Sequence, residues 1–580
     1  MIYDQKPWLA HYEQGVPTTV EYSGQLVHEL PDQAAARFGS QVAVRFLLKY
    51  LPLGIAIQSK LTYNALKDAT DRFAGALHKL GLRQGDRLSI MLPNMPQQVI
   101  AYYGALKAGA IVVNTNPTYT PRELEHQLRD SGSSAIVLMS GLYKHLEQVD
   151  PSVRPQHVII ADIPDSLGFP FNKLAERTVR ERGSMVDMPT GPGIYHFEAL
   201  LKQGLQPPKV TIQPDDTVLF QYTGGTTGTP KAAMLTHRNL VSNILQGEAW
   251  LKEFVHGKEK TLGALPNFHV YGMTVGMILT LYAGGELVLI PDPRQTDHIL
   301  QVIHNEKITL YPGIPTMYTA IINHPKVQEY DLKSVSACLS AGMALPVNVQ
   351  KSFEAITKGN LVEGYGLTET SPLTHANPIR GERKAGCIGF PVSSTEAAIV
   401  ALEPNEDGSY AALPVGESGE IVVRGPQVMK GYWQKEDETA KVIDKDGWFH
   451  TGDIGVMDEE GWFRIVDRKK DLIIASGYNI VPREVEEVLY LHPKVQEAVV
   501  AGVPDERRGE TVKAYVVLKE GVTSNVEEIR TFCKENLAPY KVPTRVEFRS
   551  ELPKSQVGKI LRRILVEEEM QKQREQSKQA

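Results

Sequence analysis

Apolar positions early in the chain follow two periodicities that alternate. Residues 65–80 place Phe73, Leu77 and Leu80 at helical spacing, and residues 97–108 predict a second helix. Residues 87–91 and 110–113 are short apolar runs beside these helices, and they predict buried strands. Strands that alternate with helices are typical of a layered α/β domain with a largely parallel sheet.

An apolar run at residues 46–57 is interrupted by Lys49, Pro52 and Gly54. It is shorter than the ~20 residues that a helix needs to span a bilayer. We predict two short core strands around a turn, and contact of this segment with a membrane surface is the alternative.

Residues 164–193 begin with Pro, Gly and Phe and continue with a basic stretch. One interpretation is a solvated surface helix. The other is an interfacial helix, in which apolar side chains enter lipid beside cations. The apolar residues concerned are Leu167, Phe169, Phe171 and Leu174, and the cations are Lys173, Arg177, Arg180 and Arg182.

The pattern changes after Gly419 to short alternating runs at residues 420–424, 431–433 and 461–466, which predict a small β subdomain. From Pro482 onward the order is helix, strand, strand and helix, at residues 484–490, 495–500, 512–518 and 526–536. This order predicts a compact α+β domain of its own. Residues 566–580 are nearly all charged or Gln, and we expect them to be frayed or disordered.

Composition narrows the class of protein. A chain of 580 residues exceeds a typical domain of ~150 residues several-fold, and 42% hydrophobic with 22% charged residues is a globular profile. The net charge of −6 gives no support to nucleic-acid binding. Cys338, Cys387 and Cys533 lie far apart, which predicts buried thiols rather than a zinc site. Residues 1–16 lack the basic and apolar regions of a secretory signal.

The most informative segment is Tyr-Thr-Gly-Gly-Thr-Thr-Gly-Thr-Pro-Lys at residues 222–231. Glycines let the backbone approach a bulky anion, threonine hydroxyls donate hydrogen bonds, and lysine adds a cation. Such a nest suits the β- and γ-phosphates of ATP. The residues that we predict to bind the nucleotide here are Thr223, Gly224, Gly225, Thr226, Thr227, Gly228 and Lys231.

This segment is not a Walker loop, because that loop opens a helix with Gly-Lys-Ser/Thr. Here Pro230 precedes Lys231, and residues 232–235 predict a strand. The next helix is expected only after Thr236, a plausible N-cap. The loop is therefore predicted to connect two strands.

The loop resembles the signature loop of the adenylate-forming superfamily, which includes acyl-CoA synthetases, adenylation domains of peptide synthetases and firefly luciferase. Similar segments recur in order from about residue 61 to residue 562. The resemblance implies an N-terminal AMP-binding domain at residues 1–468 and a mobile C-terminal domain at residues 469–565, followed by a charged tail at residues 566–580. The fold class is then α/β, with layered subdomains and a small β subdomain before the mobile α+β domain.

Tyr-Gly-Leu-Thr-Glu at residues 365–369 resembles the family's second nucleotide motif. The resemblance implies that Tyr365 stacks on adenine, Thr368 binds the α-phosphate, and Glu369 holds Mg²⁺, with Thr223 as a second metal contact. A carboxylate suits this hard cation. Ala341 and Gly342, in Ser-Ala-Gly-Met-Ala, resemble the small residues on which adenine lies flat.

Three further motifs resemble segments of the family around the ribose and the hinge. Thr-Gly-Asp at residues 451–453 implies that Asp453 binds both ribose hydroxyls, since a carboxylate can accept from two donors. In the Asp-Arg-Lys-Lys run that follows, Arg468 resembles a second ribose contact and Lys470 the hinge. Gly477 resembles the residue that lines the pantetheine tunnel of coenzyme A.

The catalytic residues implied by the resemblance are Lys559, His269, Thr368 and Glu369. Lys559 matches the lysine on the mobile domain, where a cation touching both carboxylate and phosphate stabilises the transition state. His269, in Leu-Pro-Asn-Phe-His, resembles the residue that positions the substrate and gates the two half-reactions. Lys554 is expected to be a surface cation.

The resemblance implies an acid–thiol ligase that uses ATP, Mg²⁺ and coenzyme A. A fatty acid would form acyl-AMP with release of pyrophosphate, and the acyl group would pass to coenzyme A. Segments similar to long-chain members favour a long-chain acid, whose apolar tunnel we expect to be bordered by Gly272, Met273, Gly276 and Gly313.

Several alternatives remain open at this stage. One alternative is that the substrate is a medium-chain or aromatic acid. Another is that the enzyme stops at the acyl-adenylate, delivers the acyl group to a carrier protein, or oxidises the adenylate as luciferase does. The alternative outside the enzymes is a non-catalytic lipid-binding scaffold. We expect a cytoplasmic protein with no nucleic-acid partner, and the interpretation leaves room for peripheral contact with the inner face of a membrane and for a homodimer.

Overall fold

A computed structural model describes residues 2–189, 191–223, 230–252, 254–469, 471–475, 478–505, 508–554 and 560–579. The chain divides into two compact units. The larger unit comprises Leu9–Glu396 and Arg424–Gly447, and the smaller unit comprises Met1–Trp8, Ala397–Val423 and Trp448–Ala580. Each unit is described by itself.

The strands of the described residues are β1 Val42–Tyr50, β2 Ala56–Thr62, β3 Arg87–Met91, β4 Ile111–Asn114, β5 Ala135–Leu138, β6 His157–Ile160, β7 Ile194–His196, β8 Thr217–Thr223, β9 Lys231–Thr236, β10 Lys260–Gly263, β11 Glu286–Leu289, β12 Ala337–Ser340, β13 Asn360–Gly366, β14 Leu373–Ala376, β15 Phe390–Pro391, β16 Glu396–Val400, β17 Gly419–Arg424, β18 Gly431–Tyr432, β19 Phe449–Met457, β20 Phe463–Arg468, β21 Ile473–Ala475, β22 Tyr478–Ile480, β23 Val495–Asp505, β24 Gly509–Leu518 and β25 Arg545–Phe548.

The α-helices of the same residues are α1 Ile2–Gln5, α2 Leu30–Phe38, α3 Tyr63–Leu80, α4 Pro96–Lys107, α5 Pro121–Ser131, α6 Tyr143–Glu147, α7 Phe171–Glu181, α8 Phe197–Leu201, α9 His237–Trp250, α10 Leu279–Tyr282, α11 Thr296–Glu306, α12 Pro315–Ile322, α13 Val347–Thr357, α14 Glu436–Ala440, α15 Pro482–Leu491, α16 Val526–Asn536 and α17 Arg562–Gln579. A π-helix at Gly272–Ile278 leads into α10.

An eight-stranded sheet in the larger unit has the order β18-β9-β8-β4-β3-β5-β6-β7. The strands from β8 to β7 in this order pair in parallel, which confirms the predicted α/β layering. β9 pairs antiparallel with β8, so the segment between them does connect two strands. The side chain of Thr236 accepts from the Asn239 N–H and caps α9, as predicted.

Two four-stranded sheets complete the larger unit, with the orders β10-β11-β1-β2 and β12-β13-β14-β15. β1 and β2 are antiparallel, which confirms two strands around a turn at residues 46–57. An apolar core between α11, α12 and α13 includes Tyr311, Tyr318 and Phe353, and it fixes the position of β12.

The smaller unit holds a four-stranded sheet, β16-β17-β19-β20, and a five-stranded sheet, β22-β21-β24-β23 with β25 beside β24. Helices α15 and α16 pack on the five-stranded sheet around their own core, which includes Ile473, Val485 and Ile529. The predicted α+β order after Pro482 is confirmed. The domain boundary after residue 468 stays a prediction.

Two expectations for the second half of the chain were wrong. Residues 431–433 do not join the small β subdomain, because β18 pairs with β9 at the edge of the eight-stranded sheet and the Trp433 ring packs 4.9 Å from that of Phe220. Residues 566–579 are helical rather than frayed. Their Glu, Lys, Arg and Gln residues are strong helix formers, and the buried Leu565 and Glu569 attach the helix to the sheet.

Within residues 164–193, the basic stretch forms α7 at Phe171–Glu181, and most of its features fit a solvated surface helix. Leu167 is buried, with 6% of its surface exposed, so it is not available to lipid as the interfacial interpretation required. Arg177 is paired with Glu181, and Lys173 is paired with Glu176. Phe169, in contrast, is 85% exposed.

Two further observations concern membrane-spanning helices and the cysteine thiols. Among the described residues, no helix combines the length and the apolar character that crossing a membrane requires. Cys338, Cys387 and Cys533 are buried free thiols, as predicted.

Candidate active site

The ends of the glycine- and threonine-rich loop lie opposite one another on neighbouring strands. Thr223 is the last residue of β8 and pairs with Lys231, the first residue of β9. The predicted phosphate ligands Gly224, Gly225, Thr226, Thr227 and Gly228 lie outside the described residues. The hairpin register therefore defines where the loop begins and ends, close to the carboxyl end of a parallel strand, where α/β sheets commonly bind ligands.

The ammonium group of Lys231 is held by two neighbours. It donates to Glu438 Oε2 at 2.8 Å, and it lies 4.7 Å from the centre of the Tyr432 ring. The hydrogen bond from Lys231, and then that from Lys441, lower the pKa of Glu438 to about 2. Glu438 is thus an anion across the physiological range, and Lys231 carries a counter-ion in this arrangement.

Glu369 lies in a short 3₁₀ turn, Thr368–Thr370, that packs against β8 and β9. The Tyr432 hydroxyl donates to Glu369 Oε1 at 2.7 Å. Burial, followed by the negative charge of Glu369, raises the pKa of Tyr432, so its hydroxyl keeps its proton and remains a donor. The structure thereby brings two predicted site residues, Lys231 and Glu369, to the same tyrosine.

The backbone before Glu369 depends on Gly366. A Cβ atom at this position would lie 1.8 Å from the Pro372 carbonyl oxygen, so the two backbone segments approach too closely for any side chain. The Met429 N–H donates to the Glu369 carbonyl oxygen at 2.8 Å and closes the turn. The position of the Glu369 carboxylate therefore depends on the close approach at Gly366 and on the backbone hydrogen bond from Met429.

Tyr365, predicted to stack on adenine, is buried at the end of β13. Its ring lies 5.8 Å from that of His375, at an interplanar angle of 54°. Burial lowers the pKa of His375 to about 3, so this imidazole is neutral beside the tyrosine. The adenine contact of Tyr365 stays a prediction.

Ala341 and Gly342 follow β12 directly and lie beside the segment that carries His269. The Ala341 N–H donates to the Gly313 carbonyl oxygen, and Gly342 has a φ of +80°, which favours glycine. The Tyr271 hydroxyl donates to the Leu339 carbonyl oxygen and joins the two segments. These predicted nucleotide and substrate residues are therefore neighbours in the fold.

His269 lies in a tight turn that Gly272 permits, since a Cβ atom at residue 272 would lie 2.4 Å from the Pro266 carbonyl oxygen. The Tyr271 N–H donates to His269 Nδ1 at 3.2 Å. Nδ1 is thus an acceptor, and a neutral His269 carries its proton on Nε2. The role of His269 in gating stays a prediction.

Buried amides hold this turn against the hairpin of β8 and β9, which we call the phosphate hairpin after its predicted role, and none of them was among the predicted site residues. Asn114 donates to Gln221 Oε1, and Gln221 donates to the Phe268 carbonyl oxygen, both at 2.9 Å. Asn94 donates to the Leu265 carbonyl oxygen and accepts from the Asn267 N–H. A buried amide at the end of an apolar strand was the available signal, because such a group needs partners.

The donor set at this end of the sheet fits a hard divalent cation. Glu369 supplies carboxylate oxygens and Thr223 a hydroxyl oxygen, and both belong to elements that pack together. Mg²⁺ prefers oxygen ligands and is commonly held by one or two carboxylates together with substrate phosphates. The residues therefore fit the cation that the family resemblance implies.

An apolar cavity lies between α9, the helix at Gly272–Tyr282 and β12. Trp250, Phe254, Val275, Leu279 and Leu339 are among the residues that line it. The residues that we expected at the tunnel, Gly272, Met273, Gly276 and Gly313, are not among its lining residues, although Val275 and Pro312 are. The expectation that these four residues border the acyl tunnel stays a prediction.

In the smaller unit, Asp453 lies in β19 and pairs with Arg468 of β20. Asp453 is buried, and its N–H donates to the Thr451 hydroxyl. The Arg468 side chain, Lys470, Gly477 and Lys559 lie outside the described residues.

The described residues on either side of the segment that contains Lys559 pair with each other. Lys554 and Ile560 form an antiparallel bridge, and the Leu561 N–H donates to the Pro553 carbonyl oxygen at 2.8 Å. The Lys554 ammonium pairs with Glu497 at 2.6 Å, in agreement with a structural surface cation. The bridge holds both ends of the segment in one place.

Comparisons with known proteins give matches over most of the chain. The family described as AMP-binding enzyme matches residues 31–433, and the AMP-binding enzyme C-terminal domain matches residues 484–559. The chain is 48% identical to a long-chain-fatty-acid–CoA ligase of Bacillus subtilis, over 97% of this chain and 98% of that protein. It is 42% identical to a long-chain-fatty-acid–CoA ligase of Escherichia coli O6:H1, again over 97% and 98%.

A solved structure is similar over the same length. ATP-bound MatB from Rhodopseudomonas palustris superposes with a TM-score of 0.79 at 28% identity, and the match covers 94% of this chain and 99% of that chain. The likeness extends through both units rather than being confined to the phosphate hairpin.

Proposed function

Because the chain belongs to the AMP-binding enzyme family, we propose that this site adenylates a long-chain fatty acid and passes the acyl group to coenzyme A. The protein is an AMP-forming acid–CoA ligase that uses ATP, Mg²⁺ and coenzyme A. The chain length of the acid and the roles of individual residues are the proposed part.

The apolar cavity is the observation that carries the choice of acid. Its lining is mostly apolar, with Trp250, Phe254 and Leu279 among the side chains that surround it, as in pockets that hold apolar ligands. Leu339 lines it, and Ala341 follows two residues later at the predicted adenine site. Each methylene buried there contributes about 0.8 kcal/mol, so affinity increases with chain length until the cavity is full.

The proposed roles follow from charge. Thr223, Lys231 and the residues between them bind the β- and γ-phosphates, and Thr368 binds the α-phosphate. Glu369 and Thr223 would hold Mg²⁺, which would offset negative charge on the phosphates when bound. Asp453 and Arg468 bind the ribose, and Tyr365, Ala341 and Gly342 bind adenine. His269 positions the carboxylate of the acid.

The attack of the carboxylate on the α-phosphorus brings two anions together, and Lys559 is proposed to bridge them. The oxygen of the acid forms the new bond to phosphorus while the bond to pyrophosphate breaks. In the second half-reaction the thiol of coenzyme A attacks the acyl carbon and AMP leaves. Lys470 is the proposed hinge between these steps, and Gly477 is the proposed opening of the pantetheine tunnel.

One assay tests the proposal. The protein is given ATP, Mg²⁺ and coenzyme A with acids from C2 to C18 and with aromatic acids, and both AMP and thioester are measured. The proposal expects the highest kcat/KM with long-chain acids. A preference for medium-chain or aromatic acids contradicts the proposed substrate, AMP without thioester contradicts the ligase, and no AMP with any acid indicates a binding protein.

A Gly477→Leu variant separates the half-reactions. A side chain there is expected to obstruct the thiol, so the variant forms acyl-AMP and makes no thioester. Unchanged overall activity contradicts the proposed tunnel. Gly452 is unsuitable for a control substitution because its φ of +71° disfavours any side chain. Gly168→Leu is the control, because a Cβ atom at residue 168 would meet no neighbour within 4 Å.

We also propose peripheral contact with a membrane and self-association as a homodimer. Leu53, at the turn between β1 and β2, is 98% exposed, and Phe169 before α7 is exposed as well. Flotation with anionic liposomes tests the contact, with Leu53→Ser and Phe169→Ser expected to reduce it. Sedimentation equilibrium measures the oligomeric state, and a monomer at all concentrations contradicts the dimer.

A further inference from the structure

Tyr432 contacts two charged residues of the predicted phosphate site, Lys231 and Glu369. The face of the Tyr432 ring lies under the Lys231 ammonium at 4.7 Å, and its hydroxyl donates to Glu369 at 2.7 Å. Lys231 is the predicted phosphate cation and Glu369 the predicted metal carboxylate. They lie on different segments of the chain, and the Tyr432 side chain contacts both.

The backbone of Tyr432 is fixed on two sides. Tyr432 pairs with Ala233 in the antiparallel bridge between β18 and β9, and its N–H donates to the Thr439 hydroxyl at 2.9 Å. The side chain is buried, with 6% of its surface exposed. Since Ala233 lies two residues after Lys231 on β9, the ring and the lysine are held by the same strand.

The next residue strengthens this anchor. The Trp433 N–H donates to the Ala232 carbonyl oxygen at 2.9 Å, and its indole Nε1–H donates to the Asp130 carbonyl oxygen at 3.2 Å. The Trp433 ring packs against Phe220 of β8. The aromatic pair of β18 is therefore attached to both strands of the phosphate hairpin.

We propose that Tyr432 is a positioning residue for the adenylation reaction. Its ring aligns Lys231, and its hydroxyl aligns Glu369. The inference rests on the proposed function, because it assigns the two aligned groups to phosphate and to the divalent cation. An ammonium over an aromatic face is attracted by the ring quadrupole and keeps its N–H donors for other partners. A hydroxyl donor on one oxygen of a carboxylate restricts the rotation of that group.

The two contacts can be separated by substitution. Tyr432→Phe removes the hydroxyl and keeps the ring, so it is expected to affect only the cation-dependent part of nucleotide binding. Tyr432→Leu removes both contacts, so it is also expected to weaken binding of ATP without a divalent cation. Alignment of one group by one polar contact corresponds to an effect of about three- to ten-fold.

The experiment measures binding rather than turnover. Calorimetry gives the dissociation constant of ATP in EDTA, and electron paramagnetic resonance gives the dissociation constant of Mn²⁺ from the ATP complex. For Tyr432→Phe we expect an unchanged ATP constant in EDTA and an Mn²⁺ constant raised about three- to ten-fold. For Tyr432→Leu we expect both constants to rise.

Tyr282→Phe is the matched control. The Tyr282 hydroxyl donates to Glu248 Oε2 at 2.9 Å, which is the same kind of tyrosine–carboxylate bond elsewhere in the larger unit. This variant is expected to match the unsubstituted protein in both constants. An equal rise in the Mn²⁺ constant for Tyr282→Phe overturns the proposal, because the effect is then a general loss of packing.

The remaining outcomes also decide the matter. If Tyr432→Phe binds Mn²⁺ as tightly as the unsubstituted protein, Tyr432 does not align Glu369. If Tyr432→Leu unfolds, the Tyr432→Phe result alone is decisive, since phenylalanine preserves the packing. Failure of the proposed function is distinguishable, because the unsubstituted protein itself would then not bind ATP with Mn²⁺.

Discussion

The guanidinium group of Arg562 forms an ion pair with the carboxylate of Asp471, with 2.5 Å between Nη1 and Oδ2. Nη2 donates to Glu486 at 2.8 Å. Arg562 lies shortly after Lys559, and Asp471 follows Lys470 directly, so the pair joins the chain beside the proposed catalytic lysine to the chain beside the proposed hinge. On the other side of residue 470, the Lys469 ammonium donates to the Leu402 carbonyl oxygen.

The first prediction concerns this pair. Arg562→Gln leaves Asp471 and Glu486 without their cation, and loss of one partner of a largely buried pair costs about 3 kcal/mol. We expect a lower free energy of unfolding and slower pyrophosphate exchange. Denaturant titration and isotope exchange measure the two effects. Arg563→Gln is the control, because Arg563 is 63% exposed and pairs only with its helical neighbour Glu567 among the contacts described. Equal losses in both variants contradict the prediction.

The second prediction concerns the catalytic cation. Lys559→Ala is expected to reduce acyl-AMP formation by about 10²–10³, the usual effect of removing one transition-state donor. Thioester formation from supplied acyl-AMP should be largely retained, since that step does not need the lysine. Lys554→Ala is the neighbouring control, and its ammonium pairs with Glu497. A large loss of adenylation in Lys554→Ala with none in Lys559→Ala would reverse the assignment.

The third prediction concerns the close approach at Gly366. A methyl group there would overlap the Pro372 carbonyl oxygen, so Gly366→Ala must displace the turn that holds Glu369. Overpacking of this kind costs about 1–3 kcal/mol, and we expect a lower unfolding temperature together with loss of AMP formation. Gly168→Ala, where a Cβ atom meets nothing within 4 Å, should change neither quantity.

The fourth prediction concerns the apolar cavity. Gly247 lines it, and a Cβ atom there would lie 3.6 Å from Leu279, an ordinary contact. Gly247→Leu is expected to fill part of the cavity and to lower kcat/KM for a C16 acid at least about ten-fold, since several methylenes lose their burial. Activity with a C8 acid should change little. Gly247→Ala is the matched small substitution, and an unchanged C16 to C8 ratio in Gly247→Leu would place the acyl chain elsewhere.

The fifth prediction concerns pH. Burial, followed by the neighbouring His28, lowers the pKa of His237 to about 3. Its Nδ1 accepts the Val27 N–H at 3.0 Å, which requires the neutral ring. In the unfolded chain this histidine has its ordinary pKa of about 6.5. The folded state therefore loses stability as the pH falls from about 6.5 towards 3.

Within that pH range, each unit by which the pH falls lowers the free energy of unfolding by about 1.4 kcal/mol through this histidine. His237→Gln is therefore expected to be less stable at pH 7 and to lose less stability between pH 7 and pH 5. Denaturant unfolding at several pH values measures the difference, with His78→Gln at an exposed position as control. An identical pH slope in His237→Gln and the unsubstituted protein contradicts the prediction.

The sequence by itself determined the elements with local causes. The helical spacing of Phe73, Leu77 and Leu80 predicted α3, and Thr236 predicted the start of α9, because periodicity and capping act between residues close in the chain. The motifs that contain Thr223, Lys231, Glu369 and Asp453 were likewise sufficient to indicate the reaction class, through their resemblance to the adenylate-forming superfamily.

Only the tertiary structure decided which distant residues support these groups. Tyr432 lies beside the phosphate hairpin because β18 pairs with β9, and Arg562 meets Asp471 because α17 packs on β23 within the smaller unit. The charged tail was expected to fray, yet buried Leu565 and Glu569 make it a helix. Such contacts join segments far apart in the chain, and their free energy depends on burial and partner geometry that no local pattern contains.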